Sequence, residues 1–297
     1  MERRSAGRRS RGNPQGPRET AQACVKVEAN AVRVGYVQFN PVFGRKEANL
    51  ERVAGFLDGA RADLVVLPEL FSTGYVFGSR EDLLEAAEDT NGKTFTALAD
   101  LSRRSGMAIV AGIAERDGDR CFNSCFLFAR GEIGGGYRKI HLFDREKELF
   151  APGDRGFTVV DLGGVRLGLM ICFDWIFPEP ARILTLMGAQ ILCHPANLVL
   201  PYCPQAMITR CLENRVYAVT ANRVGTEVRD GEEYRFIGTS QVVGPRGQVL
   251  VRAGDDELVQ IIDIDPALAN DKMVTPSNHA ILDRRPDLYG KLCEPSP

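Results

Sequence analysis

Two stretches decide the fold: ARADLVVLPEL at residues 60–70 and MGAQILCHPANL at residues 187–198. Each runs from the end of a helical pattern through a small and a polar residue into a short apolar run. Each then stops at a proline with a polar side chain beside it. Any helix that feeds a buried strand has this outline, so the likeness alone does not establish a repeat. Taken as a repeat, it implies two related α/β halves whose strands stack as two sheets with helices outside, a four-layer α-β-β-α sandwich.

Outward from these anchors, hydrophobic periodicity predicts a strand over 32–39 and an amphipathic helix over 45–60 with Leu50, Val53, Ala54 and Leu57 on one face. A strand over 64–67 ends abruptly at Pro68 and Glu69. Helices near 81–87 and 94–105 follow, then strands near 107–114, 122–128, 134–139 and 166–171. The second half reads as a helix over 179–188, a strand over 190–193, a helix over 205–216 and strands near 217–222, 236–243, 249–252 and 258–264. No gap rich in Pro, Gly and Ser separates the halves, so residues 31–297 are read as one domain.

Length and composition agree with that reading. With 297 residues and 44% hydrophobic side chains, the chain can fill a large core, which excludes low-complexity disorder, collagen and a disulfide-dense mini-protein. The longest nearly apolar run, residues 165–176, is interrupted by Arg166 and Asp174 and is far shorter than the roughly 20 residues of a membrane span. Residues 1–20 hold six arginines and two acids, and residues 1–30 are expected to form a disordered basic extension, with a transit peptide as the alternative. Lacking an apolar secretory segment, the chain is expected to be soluble and cytoplasmic. Beyond residue 20 it carries 31 Lys plus Arg against 37 Asp plus Glu, a mildly acidic body that argues against a nucleic-acid partner.

The eight cysteines contain no CxxC pair, and His141, His194 and His279 sit in no zinc pattern, so neither metal nor other cofactor is expected. Most thiols should be reduced and several should pack as small hydrophobes.

Chemistry in α/β proteins gathers at strand carboxyl ends, which open into a crevice. Four such ends carry polar residues: Glu69, Lys139, Cys172 and Asn197. Cys172 follows the buried run VRLGLMI and precedes FDWIFPEP, a strand-to-helix turn where a helix N-terminus would lower the thiol pKa. The competing reading is a small buried hydrophobe. A cysteine nucleophile needs a base and an oxyanion donor. The three histidines are poorly placed, although a Cys-His-Asp arrangement stays open. A carboxylate in an apolar setting is the other solution, because desolvation brings such a group toward neutrality, and Glu69 follows four apolar residues and a proline. Lys139 supplies a cation for both the carboxylate and a developing oxyanion.

Three segments, LPELFSTGY around Glu69, YRKIHLF around Lys139 and GLMICFDWIFPE around Cys172, resemble the signature segments of the nitrilase superfamily, the carbon-nitrogen hydrolases with a Glu-Lys-Cys triad. The likeness covers about residues 32–289 and is strongest to archaeal and bacterial nitrilase-like proteins. It implies Cys172 as nucleophile, Glu69 as general base and acid, and Lys139 as oxyanion stabiliser. It also implies a second glutamate in REKELFAPGD, matched by Glu146 with Glu148 as the alternative. HPANL matches a pocket-lining segment, which makes Asn197 a substrate contact or else a turn former. Phe173, Trp175, Tyr75, Asn123 and Phe43 are further expected pocket residues. Arg215 and Asn222 are read as scaffold hydrogen-bonders, and the tail, about residues 270–297, as a contact to a neighbouring subunit of a homodimer or larger homo-oligomer.

The implied reaction is hydrolysis of a small carboxamide to acid and ammonia through a thioester. The same triad could serve small aliphatic nitriles or N-carbamoyl compounds. A different class, an idle binding or assembly protein, would keep the fold and lose the triad, which is intact here.

Overall fold

The computed structural model describes residues 31–294 except residue 230, so the basic extension at 1–30 lies outside the described residues. In the first half, β1 (Val32–Gln38), α1 (Lys46–Leu57), β2 (Leu64–Val66), α2 (Arg80–Ala86), α3 (Lys93–Ser105), β3 (Ala108–Asp117), β4 (Arg120–Ala129) and β5 (Glu132–Arg138) follow in order. The second half contains α4 (Glu146–Leu149), β6 (Thr158–Leu162), β7 (Val165–Leu169), α5 (Pro178–Leu186), β8 (Ile191–Pro195), α6 (Cys203–Asn214) and β9 (Tyr217–Ala221). A hairpin of β10 (Val224–Arg229) and β11 (Glu232–Ile237), then β12 (Gln241–Val243), β13 (Val249–Arg252) and β14 (Leu258–Ile264) complete the sheets.

The main strands form two six-stranded sheets, ordered β14-β1-β2-β3-β4-β5 and β13-β12-β9-β8-β7-β6. The two stretches that opened the reading become β2 and β8. Each is flanked by parallel partners on both sides, β1 and β3 in one sheet, β7 and β9 in the other. Such strands are covered on both faces, and their side chains sort by alternation. Leu64, Val66, Ala108, Val110, Cys125 and Leu127 face the second sheet's Leu167, Leu169, Ile191 and Val219. Their sequence neighbours Val65, Ile109, Phe126 and Phe128 face Val53 and Leu57 of α1 and Phe95 and Leu98 of α3. Helices α5 and α6 cover the outside of the second sheet through Ala181, Leu184, Met207 and Cys211. The layers run α-β-β-α as expected.

The periodicity missed several features. The predicted strand 236–243 is broken, because Gly238 and Thr239 both turn into left-handed backbone at φ +60° and +57°. Its first part pairs with β10 in the unforeseen hairpin, and only residues 241–243 join the sheet. Edge strand β6, five residues long, and the single polar turn α4 are too short to show a period. Among the described residues, no helix is long and apolar enough to cross a membrane.

Candidate active site

Pro68 ends β2, and the chain turns at Leu70 with φ +49°, leaving the Glu69 side chain wholly buried. Only glycine fits opposite: a Cβ on Gly112 would stand 2.4 Å from Glu69 Cα and 3.0 Å from Leu70 N. Lys139 continues the β4–β5 ladder, its amide donating to Asn123 O at 2.8 Å. The preceding Arg138 is buried and clamped by Glu115, Asp117 and Asp154. Cys172 begins a 3-10 turn (Cys172–Ile176) with φ +38°, a strained conformation for a residue with a Cβ and one found at functional sites.

These strand ends converge. Lys139 Nζ lies 2.7 Å from Glu69 Oε1 and 2.8 Å from the Glu146 carboxylate, with all three side chains buried. Asn123 Nδ2 donates to the same Glu69 Oε1 at 2.7 Å, while Glu69 Oε2 is buried without a partner among the described residues. Asn197 Nδ2 donates to the Glu69 backbone carbonyl at 2.9 Å, and its own Oδ1 has no partner among the described residues. Tyr75 OH donates to Glu146 Oε1 at 2.8 Å. Glu148 is exposed and lies against Arg145 at 4.0 Å, whereas Glu146 pairs with Lys139, so Glu146 is the glutamate at this centre.

Burial, then the charges of Glu69 and Glu146, push the Cys172 thiol well above its ordinary value, against the pull of Lys139. This corrects the expectation of a thiolate stabilised at a helix N-terminus. The turn is a single 3-10 segment with little dipole, and the sulfur is desolvated among carboxylates. Burial alone would lower the Lys139 pKa, but Glu146 and Glu69 raise it instead, so the ammonium persists. Burial, and then Glu69, raise Glu146 despite Lys139. At neutral pH the Cys172 sulfur therefore rests as a protonated thiol.

The histidines do not serve that thiol. His194 lies 2.9 Å through Nε2 from the Cys172 backbone carbonyl and 3.1 Å through Nδ1 from Thr220 Oγ1, and burial lowers its pKa. A carbonyl only accepts, so Nε2 carries the proton and His194 supports the Cys172 backbone as a neutral ring. His141 Nδ1 is 2.7 Å from Asp174 Oδ1. Asp174 Oδ2 accepts from Tyr137 OH at 2.9 Å and from the Ile171 amide at 2.8 Å. Asp174 went unassigned in the sequence, although its place as a charge inside an apolar run was the available signal.

A narrow cleft opens beside the sulfur, lined by Phe143, Cys172, Phe173, Trp175, Asn197 and residues 198–200. Phe173, Trp175 and Asn197 thus lie where they were expected. Asn123 and Tyr75 do not line this cleft: their polar atoms are taken by Glu69 and Glu146. Phe43 does not line this cleft; its ring packs edge-on against Phe77, and Gly74, at φ +83°, passes close against it. Asn222 holds the cleft wall by accepting from the Leu198 amide at 2.7 Å and donating to Gly238 O at 2.6 Å. Arg215 donates to the Met273 carbonyl, a scaffold role as expected.

Residues 33–271 match the carbon-nitrogen hydrolase family. A nitrilase from Pyrococcus abyssi is 47% identical over 263 residues, 87% of this chain and 99% of that protein. The crystal structure of a carbon-nitrogen hydrolase from Helicobacter pylori G27 superposes with TM-score 0.82 at 28% identity, covering 90% of this chain and 99% of the other. A mutant amidase from Nesterenkonia sp. AN1, solved with the acetamide moiety of fluoroacetamide added covalently at its active-site cysteine, gives TM-score 0.73 at 26% identity, covering 88% and 97%.

Proposed function

Given that the chain belongs to the carbon-nitrogen hydrolase family, we propose that it hydrolyses small, uncharged aliphatic carboxamides to the acid and ammonia. The observation that carries this reading is the pairing of one committed and one free oxygen on Glu69. Oε1 is held by Lys139 and Asn123, and buried Oε2 is left to exchange protons.

In this mechanism Cys172 Sγ attacks the amide carbon as its proton passes to Glu69 Oε2. The developing oxyanion is held by the Lys139 ammonium and by the Phe173 N–H, which stands in the first turn of a helix where amides are not consumed by the helix itself. Glu69 then returns the proton to the nitrogen, the C–N bond breaks and ammonia leaves a thioester. Water, deprotonated by Glu69, attacks the thioester carbon, and cleavage of the C–S bond with proton return restores the thiol and releases the acid. Glu146 and Asn123 hold Lys139 and Glu69 in register throughout.

The substrate class follows from the cleft. Its wall of Phe143, Phe173, Trp175 and Leu198 offers no charged side chain to an acyl substituent, which disfavours dicarboxylic acid monoamides and carbamoylated amino acids. The covalent acetamide adduct of the Nesterenkonia amidase supports room for a small, uncharged amide-sized group at the cysteine. A nitrile is the second reading, favoured by the name of the Pyrococcus relative. It would form a thioimidate before releasing amide or acid. Leu282, Leu288 and Leu292 of the tail are left exposed, which supports assembly into a homodimer or larger homo-oligomer. Seven unpaired thiols among the described residues support a reducing, cytoplasmic setting.

Ammonia release from a panel of short aliphatic amides, the matching nitriles, dicarboxylic monoamides and N-carbamoyl amino acids tests the reading. Turnover of neutral amides, abolished in Cys172→Ala, is expected. Exclusive turnover of the charged compounds would overturn it. Preferential alkylation of Cys172 by iodoacetamide separates an enzyme from an idle assembly protein.

A further inference from the structure

Glu227 and Arg223 lie outside the three signature segments, yet both are buried with their charges. Arg223 Nη1 is 2.6 Å from Glu227 Oε2. Its Nη2 donates to Asn40 Oδ1 at 2.7 Å and to Pro41 O at 3.1 Å, and the guanidinium lies 4.1 Å over the Phe236 ring. Apolar residues of similar volume commonly stabilise a fold at least as well as a buried ion pair. The pair therefore calls for a reason other than stability.

That reason lies in the remaining lone pairs of the carboxylate. Glu227 Oε1 accepts the Tyr75 amide at 3.1 Å and the Val76 amide at 2.5 Å. Tyr75 is the residue whose hydroxyl reaches Glu146, and Glu146 in turn grips Lys139. The approach is close: a Cβ on Gly74 would stand 3.2 Å from Glu227 Oε2. The Tyr75 ring is held edge-on by Tyr234 and Phe236 of β11. The β10–β11 hairpin thus brings to one loop both a carboxylate for its backbone and an aromatic wall for its ring.

We propose that Glu227, held by Arg223, is a positioning residue of the catalytic centre. It fixes the Tyr75 backbone, and the Tyr75 hydroxyl fixes Glu146 against Lys139. The alternative is a staple that only joins the hairpin to the 74–76 loop. The proposal rests on the hydrolase reading for the role of Glu146, so its test includes one measurement that uses no substrate.

The experiment is a double-mutant cycle of Glu227→Ala and Tyr75→Phe. It reads kcat and KM on a short aliphatic amide, the rate of Cys172 alkylation by iodoacetamide from peptide mass, and Tm. Glu227→Ala is expected to lower kcat and the alkylation rate by about tenfold with KM changed less than about twofold. The loss should shrink below about twofold in the Tyr75→Phe background, since residues acting through one another are not additive. Full additivity, or a lower Tm with both rates unchanged, overturns the proposal. Should Glu227→Ala not fold, Arg223→Met/Glu227→Gln and Arg223→Met/Glu227→Leu remove both charges and differ in the acceptor oxygen. The Gln form is expected to keep the faster rates, and equal rates overturn the proposal. A wild-type protein that alkylates at Cys172 yet turns over no amide would sink the amide reading, while the alkylation arm still decides this one.

Discussion

Asn123 Nδ2 and Glu69 Oε1 are 2.7 Å apart, and that oxygen is also the one engaged by Lys139, so one face of the carboxylate is saturated and the other is free. Two donors on one oxygen orient the group as well as stabilise its charge. Removing Asn123 should therefore loosen Glu69 without removing its chemistry. Asn123→Ala is expected to cost roughly tenfold in kcat, about 1.4 kcal/mol of barrier. Glu69→Gln, which cannot exchange protons, should cost at least about a thousandfold. Steady-state kinetics on the same amide compare them. Equal losses would mean that Asn123 does more than orient.

Gly112 lets the backbone carrying Glu69 come close, and this makes a second prediction. The clash of a Cβ there is with main chain, which cannot rotate away. Gly112→Ala is expected to destabilise the fold by about 2 kcal/mol, as overpacking does, and to cut activity further than that loss explains. Gly55→Ala on α1 is the matched control, because a Cβ there meets nothing within 4 Å. It should be neutral or stabilising by about 0.5–1 kcal/mol. Urea unfolding of the two variants checks both signs.

The contrast between Glu69 and Asp174 shows how far the sequence alone carries. Strand ends with polar residues were legible, because a buried parallel strand is a continuous apolar run and its stop is abrupt. Glu69, Lys139, Cys172 and Asn197 were all found that way, and they do converge. The supporting residues were not legible. Asp174, Glu227 and Arg223 act across chain separations that leave no local period, and a buried ion pair reads in sequence as two surface charges. The same blindness hid that Tyr75 and Asn123 direct their polar atoms to two glutamates.

The buried thiols set the alkaline limit of stability. Burial pushes Cys125, Cys172 and Cys203 well above the ordinary thiol value near 9, and raises Cys193 and Cys211 as well. Below pH 9 both folded and unfolded chains hold these protons. Above it the unfolded chain releases them and the folded chain does not, so stability falls as pH rises. Lys272, lowered to about 8 mainly by burial, works in the opposite direction, but it is one half-exposed group against five thiols. The expected loss is on the order of 1 kcal/mol per pH unit for each thiol between pH 9 and 10.5. Urea midpoints under reducing conditions should drop over that window, and Cys203→Ala should lessen the slope by one proton. A midpoint constant to pH 10.5 would refute this.

Asp174 joins the Lys139 and Cys172 segments through one buried carboxylate, and its replacement should therefore damage both. Oδ2 takes the Ile171 amide just before Cys172 and the Tyr137 hydroxyl two residues before Lys139, while Oδ1 faces His141 just after it. In Asp174→Asn a single, uncharged acceptor oxygen remains: with the new NH2 toward the Ile171 N–H, that amide and the Tyr137 hydroxyl lose their acceptor, and with it toward His141 the ring must take the tautomer whose Nδ1 accepts, so in either arrangement the charge-assisted bonds of the carboxylate are lost. The expected cost is about 2–4 kcal/mol of stability, with kcat falling because the Phe173 amide and Lys139 no longer meet at one oxyanion position. Tyr137→Phe removes one of these bonds and leaves the Ile171 amide and His141 in place. It should cost about 1 kcal/mol and leave kcat within about threefold of wild type. Denaturant unfolding and kcat measured on both variants test the relationship, and an Asp174→Asn protein as active as Tyr137→Phe would show that the carboxylate does not couple the two segments.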